Sequence, residues 1–372
     1  MLTFYAELLS NIRAITLSIH LSSPATASTR ITVEPSASAA ILHHHGESIR
    51  LPLPGNVNPE HQQRQYGTTV GTEHLSCRLE VAPPPPPKGE NYAPWSAPEL
   101  TRTESASFDC RKCGSTLIPR KRVKKWKDLP SGNWADMMDF WHCHKPDDDR
   151  KKKDEAEEGE SAKYSTFGKG FAVERGTGLV DRLYFLLPAD DCENVQIADV
   201  KLKCSLCETE LGVVDGDSKM WKINKWNLRL NDQEKETTYP LECFLSSQII
   251  SHAEEGGVRR LLVTSEADVD TQANGIKIWI FNTDYRYTHT HSAESVRAVK
   301  LLWQTVEPGE KVPTDSLKAT GFEGIALDPT CLQTLRKCLH DSNGHLPGNI
   351  GKTSMGQSGE WNVGSLRRFE EI

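Results

Sequence analysis

The sequence Cys110-Arg-Lys-Cys113-Gly-Ser-Thr-Leu117 has a counterpart later in the chain, Cys204-Ser-Leu-Cys207-Glu-Thr-Glu-Leu211. Both segments follow the pattern C-x-x-C-x-x-x-L. Two residues between the cysteines allow a tight turn to aim both sulfur atoms at one point, about 2.3 Å from a zinc ion. Two such turns supply four thiolates, which close a tetrahedral site and leave no position for water. The pattern therefore predicts one structural zinc site formed by Cys110, Cys113, Cys204 and Cys207.

The two cysteine pairs are separated by 90 residues, whereas a compact zinc ribbon has roughly 15–20 residues between its pairs. A shared ion would therefore connect two segments that are distant in sequence, like a cross-link that closes a long loop. Two alternatives remain open. In the first, Cys143 or His144 replaces one thiolate in a mixed site. In the second, the cysteines carry no metal or act in redox chemistry.

The composition indicates a folded protein with long polar insertions. The chain has 372 residues, 37% of them hydrophobic, and 21 prolines that are unevenly distributed. This length suits about two domains, or one large domain with inserts. The formal net charge of -7 argues against general nucleic-acid binding, which requires a basic face.

The cysteine content and the N-terminal sequence indicate the expected compartment. Residues 1–7 contain no basic segment followed by an apolar one, which argues against a secretory signal. No window approaches the roughly 18 apolar residues of a membrane helix, so we expect no membrane partner. Ten cysteines in such a chain favour a reducing compartment, where thiols serve metals or catalysis. We expect the protein in the cytoplasm and nucleus.

The hydrophobic pattern predicts a mainly β protein of the α+β class. Residues 15–19, 30–33 and 77–81 alternate apolar and polar side chains, which is typical of half-buried antiparallel strands. Residues 240–252 and 329–340 instead place their apolar side chains on one helical face. We expect the N-terminal and middle strands to share one core, and a mixed C-terminal part with two or three short helices.

Changes in composition divide the chain into four regions. Residues 1–82 form an N-terminal β region, and residues 83–107 form a proline-rich linker. Residues 108–230 form a cysteine- and tryptophan-rich zinc region, whose charged segment 147–162 is expected to be a disordered insert. Residues 231–372 form a C-terminal α+β region. Between Trp221 and Leu230 the alternation slips once, which predicts a bulge.

The sequence Trp141-His142-Cys143-His144 places a thiol between two imidazoles. A neighbouring imidazole can activate a cysteine as a nucleophile, so Cys143 is the best candidate for a catalytic residue. A packed, structural cysteine is the alternative interpretation. No other catalytic residue is indicated.

A basic run, Arg120-Lys-Arg-Val-Lys-Lys125, follows the first cysteine pair. We interpret it as a charged strand face. A nuclear import signal or a nucleic-acid patch is the alternative.

Several motifs occur in an order that resembles a known family. The first C-x-x-C is followed by Leu129-Pro-Ser-Gly-Asn-Trp134 and by Trp141-His-Cys-His144, and the second follows an acidic insert. Three more motifs come later: Lys277-Ile-Trp-Ile-Phe-Asn-Thr-Asp284, Ala298-Val-Lys-Leu-Leu-Trp303 and Glu360-Trp-Asn-Val-Gly-Ser-Leu366. This order is similar to that of the ubiquitin-conjugating-enzyme-binding proteins described as HECT-like ubiquitin ligases, specifically their fungal-type members. The resemblance covers roughly residues 108–372.

The resemblance implies an E3 ubiquitin-protein ligase, a transferase of the ubiquitin-conjugation pathway. Such a protein binds a ubiquitin-conjugating enzyme (E2) and accepts or transfers ubiquitin to protein substrates in cytoplasm and nucleus. Some members of the family are also linked to mRNA 3′-end-processing factors, which become further expected partners.

A HECT-type ligase needs a free, activated cysteine that takes ubiquitin as a thioester. Four of the ten cysteines are assigned to zinc. Cys331, Cys338 and Cys243 are expected in the core, and Cys77 and Cys192 have no base nearby in sequence. The alternative function is therefore a non-catalytic, zinc-stapled scaffold that binds an E2 or a pre-mRNA 3′-end-processing factor.

Overall fold

The computed structural model describes residues 2–58, 60, 66–81, 91–103, 106–129, 174–216, 220–232, 235–268, 274–306, 321–348, 350–356 and 359–370. Within these residues β-strands predominate, and most paired strands run antiparallel. This confirms the mainly β, α+β class that the alternating pattern predicted. The disordered insert predicted at residues 147–162 lies outside the described residues.

The strands and helices are numbered in chain order. The strands are β1 (Thr3–Leu9), β2 (Ala14–His20), β3 (Arg30–Val33), β4 (Ala39–His44), β5 (Glu47–Pro52), β6 (Tyr66–Gly67), β7 (His74–Glu80), β8 (Ser107–Cys110), β9 (Thr116–Ile118), β10 (Lys125–Asp128), β11 (Thr177–Val180), β12 (Tyr184–Leu187), β13 (Val195–Ala198), β14 (Lys201–Cys204), β15 (Glu210–Val214), β16 (Trp221–Asn224), β17 (Leu228–Asp232), β18 (Lys235–Thr237), β19 (Arg260–Ser265), β20 (Ile276–His289), β21 (Ser292–Thr305), β22 (Glu323–Leu327), β23 (Lys352–Ser354) and β24 (Glu360–Arg367). The α-helices of the described residues are α1 (Ala97–Arg102), α2 (Leu241–Glu254) and α3 (Pro329–Gly344).

The strands belong to two compact units. The terminal unit combines Met1–Tyr92 with Leu241–Ile372, and the central unit is Ala93–Pro240. The terminal unit contains a nine-stranded sheet with the order β23-β24-β21-β20-β1-β2-β7, in which β19 also pairs with β20, and β22 with β19. A four-stranded sheet of the same unit has the order β5-β4-β3-β6.

Strand β1 lies inside the large sheet because it pairs antiparallel with both β2 and β20. The C-terminal part of the chain thus supplies the second hydrogen-bonding partner of β1. The expectation that the N-terminal and middle parts share one core is therefore wrong. The boundaries between the four sequence regions, 1–82, 83–107, 108–230 and 231–372, stay predictions.

The core of the terminal unit explains the alternating pattern of its strands. Ile15 and Leu17 of β2 join Leu42 of β4 and Leu51 of β5 in one cluster of fully buried side chains. The two helices predicted from their apolar faces are confirmed as α2 and α3, which contact each other and β24. In the described part of the chain, no helix has both the length and the apolar character needed to span a membrane.

The central unit is built from two sheets. One has seven strands in the order β10-β11-β12-β16-β15-β14-β13, and the other has four in the order β18-β17-β8-β9. The 3-10 turn Lys225–Asn227 leads from β16 in the first sheet to β17 in the second. The bulge predicted between Trp221 and Leu230 is therefore wrong: the slip in the alternation marks a change of sheet.

Part of the predicted proline-rich linker is packed into the central unit. Trp95 is fully buried, and its ring meets Phe108 edge-on with 5.3 Å between ring centroids. The backbone N–H of Ser96 then donates to the Glu99 carboxylate over 3.3 Å, as in the capping boxes that begin helices. Residues 91–103 thus differ from a linker, whereas residues 82–90 lie outside the described residues.

Gly212 of β15 pairs with Leu202 on one side and with Ile223 on the other. Its φ is +154°, and a Cβ atom there would lie 1.9 Å from the carbonyl oxygen of Lys222. Real Cβ atoms do not approach a backbone atom so closely, and the neighbouring strand cannot yield without losing its hydrogen bonds.

We expect Gly212→Ala to lower the free energy of unfolding by about 3 kcal/mol, at the high end for one substitution. Urea unfolding of the full chain followed by tryptophan fluorescence would measure this. Gly216→Ala is the matched control, because a Cβ at Gly216 meets nothing within 4 Å. Equal unfolding midpoints for the two variants would contradict the strand packing described here.

Lys225 is fully buried at the change of sheet. Its ammonium donates to the carbonyl oxygens of Pro94 and Trp95, each over 3.3 Å, and lies 5.0 Å from the centroid of the Phe185 ring. Burial lowers the pKa of Lys225 to about 7. The unfolded chain binds the proton with the ordinary lysine pKa, so it holds more protons than the folded chain between about pH 7 and pH 10.5.

The stability of the central unit should therefore fall as the pH drops from 10 to 7, with Lys225 contributing about 3 kcal/mol of that loss. In Lys225→Met this contribution disappears, and the pH dependence of the unfolding midpoint becomes flatter. Lys203→Met, which removes a half-buried lysine from β14, should keep the wild-type slope. If the unfolding midpoint of Lys225→Met depended on pH as strongly as that of the wild type, the folded chain would not disfavour the charged form of Lys225.

Candidate metal centre

The two cysteine pairs occupy equivalent hairpin turns in different sheets of the central unit. The first knuckle, residues 110–117, connects β8 to β9 in the four-stranded sheet. The second knuckle, residues 204–211, connects β14 to β15 in the seven-stranded sheet. Any ion or bond that connects the four thiols therefore also connects the two sheets.

The same backbone hydrogen bonds close both knuckles. The N–H of Gly114 donates to the carbonyl of Cys110 over 2.8 Å, and that of Glu208 donates to Cys204 over 2.9 Å. Both donors have left-handed backbone conformations, with φ of 77° at Gly114 and 57° at Glu208. This geometry turns the chain so that both cysteines of a pair present sulfur to the same side.

The final leucine of each knuckle anchors it. Leu117 and Leu211 are both fully buried, which accounts for the shared C-x-x-C-x-x-x-L pattern. Two further hydrogen bonds tie the knuckles to neighbouring segments: the backbone N–H of Glu193 donates to the carbonyl of Leu117 over 2.8 Å, and the side-chain amide of Asn227 donates to the carbonyl of Glu210 over 2.8 Å.

The structure brings all four predicted ligands together. Their Sγ atoms lie within 4.8 Å of one another, with 3.7 Å between Cys110 and Cys207 and 3.6 Å between Cys113 and Cys204. Four thiolates about 2.3 Å from a central ion form a tetrahedron with edges of about 3.8 Å. A disulfide would need about 2.05 Å. The four cysteines therefore fit a metal ion and could hold one.

Hydroxyl groups support the sulfur atoms. Ser115 Oγ lies 3.2 Å from Cys204 Sγ, and Thr209 Oγ1 lies 3.2 Å from Cys207 Sγ. The sequence analysis missed these two residues, although they occupy the same position, two after the second cysteine of each pair. Hydroxyl donors at this position favour thiolates over thiols.

The ionisation of the thiols follows their surroundings. Hydrogen bonding by the Thr209 hydroxyl and N–H lowers the pKa of Cys207 to about 6. Burial opposes ionisation of Cys204, but contacts with Ser115 and with backbone N–H groups outweigh it and lower the pKa of that thiol. Burial raises the pKa of Cys110 to about 12, so its thiolate needs the charge of a bound cation.

A site with four protein ligands has no open position. Cys110 and Cys204 are buried, Cys207 is half-buried and Cys113 is exposed. Such an arrangement cannot bind and activate a water molecule, so a metal here would cross-link the two sheets. The four thiols meet without Cys143 or His144, the residues of the alternative mixed site, which lie outside the described residues.

The candidate nucleophile Cys143, with the whole sequence 141–144, also lies outside the described residues. The described cysteines beyond the metal centre are Cys77, Cys192, Cys243, Cys331 and Cys338. Burial raises the pKa of four of these thiols, Cys77, Cys192, Cys243 and Cys338, to about 12. Cys331 is fully buried, as predicted for a core residue. A thiol with such a pKa is a poor nucleophile at neutral pH.

The fold and the site define the class of protein: a strand-rich chain in which two sheets of the central unit meet at four cysteines that could hold a metal ion. The family of HECT-like ubiquitin-conjugating enzyme (E2)-binding proteins matches residues 7–363. The chain belongs to this family, as its motifs indicated. Membership supports a ubiquitin-conjugating enzyme as a partner.

Individual relatives are distant. An uncharacterized protein of Saccharomyces cerevisiae is 27% identical over 273 residues, covering 72% of this chain and 71% of the relative. An uncharacterized protein of Schizosaccharomyces pombe is 23% identical, covering 80% and 82%. A human protein named as an E3 ubiquitin-protein ligase is 23% identical, covering 68% and 71%. No solved structure matches the chain.

Three of the motifs that carry the family resemblance are neighbours in one sheet. Residues 277–284 lie in β20, residues 298–303 in β21 and residues 360–366 in β24, and these strands pair in that order. A Cβ at Gly364 would lie 2.9 Å from Leu339 of α3 and 3.0 Å from the indole nitrogen of Trp303. These motifs therefore specify packing of a helix on the sheet.

We expect the full chain to contain one metal ion, and Cys204→Ser to lose it together with the folded central unit. The physical reason is that three thiolates leave the coordination open and the two sheets uncoupled. Mass spectrometric metal analysis and near-ultraviolet circular dichroism would measure both effects. Cys192→Ser, in the same unit but outside the cluster, should retain both. A folded, metal-free Cys204→Ser protein would contradict the cross-link.

Proposed function

We propose that this chain is an E3 ubiquitin-protein ligase that binds a ubiquitin-conjugating enzyme and promotes transfer of ubiquitin to protein substrates. The observation that carries the proposal is the match to the E2-binding family over residues 7–363. Two mammalian relatives named as E3 ubiquitin-protein ligases, each matched over 71% of its own length, support it. From the cysteine usage of the sequence, we place this activity in the cytoplasm and nucleus.

We propose zinc as the metal of the four-cysteine centre. Four thiolates in a tetrahedron are typical of structural zinc, because this soft donor set suits the ion and leaves no open position for water. In this proposal Cys110, Cys113, Cys204 and Cys207 hold the ion and take no part in ubiquitin transfer.

The proposed reaction has two steps. A thiolate of this chain attacks the carbonyl carbon of the thioester that joins ubiquitin to the E2, and the E2 sulfur leaves as a thiolate. A substrate amine then attacks the new thioester, loses a proton and forms an amide, which releases the first thiolate. Because the described cysteines outside the four-cysteine cluster are the fully buried Cys331 and four thiols whose pKa burial raises, we propose Cys143 as the nucleophile.

The second candidate function is a zinc-stapled scaffold without chemistry of its own. The lack of an activated thiol outside the metal centre, among the residues that the structure describes, favours it. Such a protein would bind an E2 or a pre-mRNA 3′-end-processing factor, and ubiquitin would pass from the E2 directly to the substrate.

The two candidates differ in whether ubiquitin becomes attached to this chain. With activating enzyme, E2, ATP and ubiquitin, the ligase should form a ubiquitin adduct that survives on a non-reducing gel and disappears with a thiol reductant. Cys143→Ser should abolish the adduct, and Cys77→Ser should retain it. Both variants should keep their metal, which shows that they are folded.

Other outcomes decide against the ligase mechanism. An adduct that persists in Cys143→Ser would exclude Cys143 as the nucleophile. An E2 that binds the chain and discharges ubiquitin to substrate with no adduct would favour the scaffold. No binding to any E2 of a representative panel would refute the ligase and the E2-binding form of the scaffold.

A further inference from the structure

Two adjoining concavities open on the central unit, beside the turn that connects β9 to β10. The apolar groove has a volume of about 320 Å³ and is lined mainly by Leu100, Phe108, Ile118, Val123 and Trp126. The basic cleft has a volume of about 430 Å³ and is lined by Arg120, Lys121, Arg122, Lys124 and Arg175, with Gly176 and Asp191. Pro119, Lys121 and Lys124 line both.

The turn between the strands gives the cleft its shape. Residues 119–124 form a turn, in contrast to the charged strand face expected from the sequence. Lys121 has a left-handed backbone with φ of 59°. The N–H of Lys124 donates to the carbonyl of Gly176 over 2.7 Å, which holds this turn against the start of β11.

Two arginines of the cleft are held by partners, whereas its two lysines form no ion pair with any described residue. Arg122 pairs with Glu193 over 2.8 Å, and Arg120 donates to the neutral amide of Asn231 over 3.2 Å. Lys121 and Lys124 are exposed, and the described residues form no ion pair with either. Two lysines that form no ion pair with any described residue thus line both the groove and the cleft.

The groove offers the complementary apolar contact. Trp126 is only half-buried, although its ring packs against Phe108 and Phe185 with centroids 6.0 Å and 4.9 Å away. This packing fixes the ring, so a partner would meet a preformed apolar wall. Preformed pockets for an aromatic or aliphatic anchor, with charges at the rim, are typical of protein recognition.

The two features together select the chemistry of the partner. The apolar groove requires an apolar side chain, and the basic rim requires carboxylates next to it. Nucleic acid fits less well, because the chain as a whole carries a net charge of -7, whereas nucleic-acid binding depends chiefly on neutralising phosphates, and the groove lining is mainly apolar. A protein segment with an apolar anchor flanked by Asp or Glu satisfies both.

We propose that this groove and cleft form a docking surface for an acidic segment of a partner protein, with its apolar side chain in the groove and its carboxylates on Lys121 and Lys124. None of the four clustered cysteines lines this surface. The inference does not depend on ligase activity.

The test uses the full-length protein and a fluorescein-labelled peptide in which a central Leu-Phe pair is flanked by four glutamates on each side. Fluorescence polarisation should show binding that weakens about tenfold or more in Lys121→Glu/Lys124→Glu, because two attractive contacts become repulsive. Lys127→Glu/Lys235→Glu changes the charge equally at two exposed lysines of the same unit that do not line the surface. This control should bind like the wild type. Metal content should be unchanged in both.

Two further probes separate the contributions. A peptide with Ser-Ser in place of Leu-Phe should bind at least about tenfold more weakly, since it cannot fill the groove. Equal binding of this peptide would overturn the role of the groove, and equal binding by the two double variants would overturn that of the lysines. Tighter binding of a 12-nucleotide oligouridylate, lost in Lys121→Glu/Lys124→Glu, would assign the surface to nucleic acid and refute the proposal.

Discussion

The convergence of four sulfur atoms is the constraint on which the central unit depends. The two cysteine pairs are separated by 90 residues, and closing a flexible loop of that length costs about 4 kcal/mol plus a constant. Binding of a structural zinc ion by thiolates releases about 10–16 kcal/mol in small peptides. A bound ion therefore offsets loop closure with a margin, which explains how short strands on two small sheets can hold one arrangement.

The aromatic core of the central unit follows from the same constraint. Phe108 precedes the first knuckle, in the four-stranded sheet, and Phe185 lies in the seven-stranded sheet; their ring centroids are 5.0 Å apart. Trp95 completes the cluster from the segment before α1. The knuckles thus meet at one place and the aromatic rings pack at another, and the turn at Lys225 is one of the covalent connections between the two sheets.

The sequence was informative where the signal is local. The spacing of the cysteines placed Cys110, Cys113, Cys204 and Cys207 in one cluster, and helical periodicity located α2 and α3. Pairing between β1 and β20 could not be read from pattern, because alternation shows that a strand is half-buried but not which strand it joins. The burial of Lys225 was equally hidden, since a lysine is ordinarily exposed. Ser115 and Thr209 each lie two residues after the second cysteine of a pair, so their positions repeat in the sequence. The cysteine spacing alone does not show that their hydroxyls contact the sulfur atoms.

The position of β1 between β2 and β20 has a consequence for synthesis on the ribosome. Residues 3–9 emerge early, but their second neighbour, β20 (Ile276–His289), follows more than 260 residues later. Until then one edge of β1 has no partner from β20, and open strand edges attract other chains. The central unit, by contrast, is continuous in sequence and can fold while the rest is still being made. Strand β1 is thus translated long before its pairing with β20 can form, and until then its open edge needs protection from other chains.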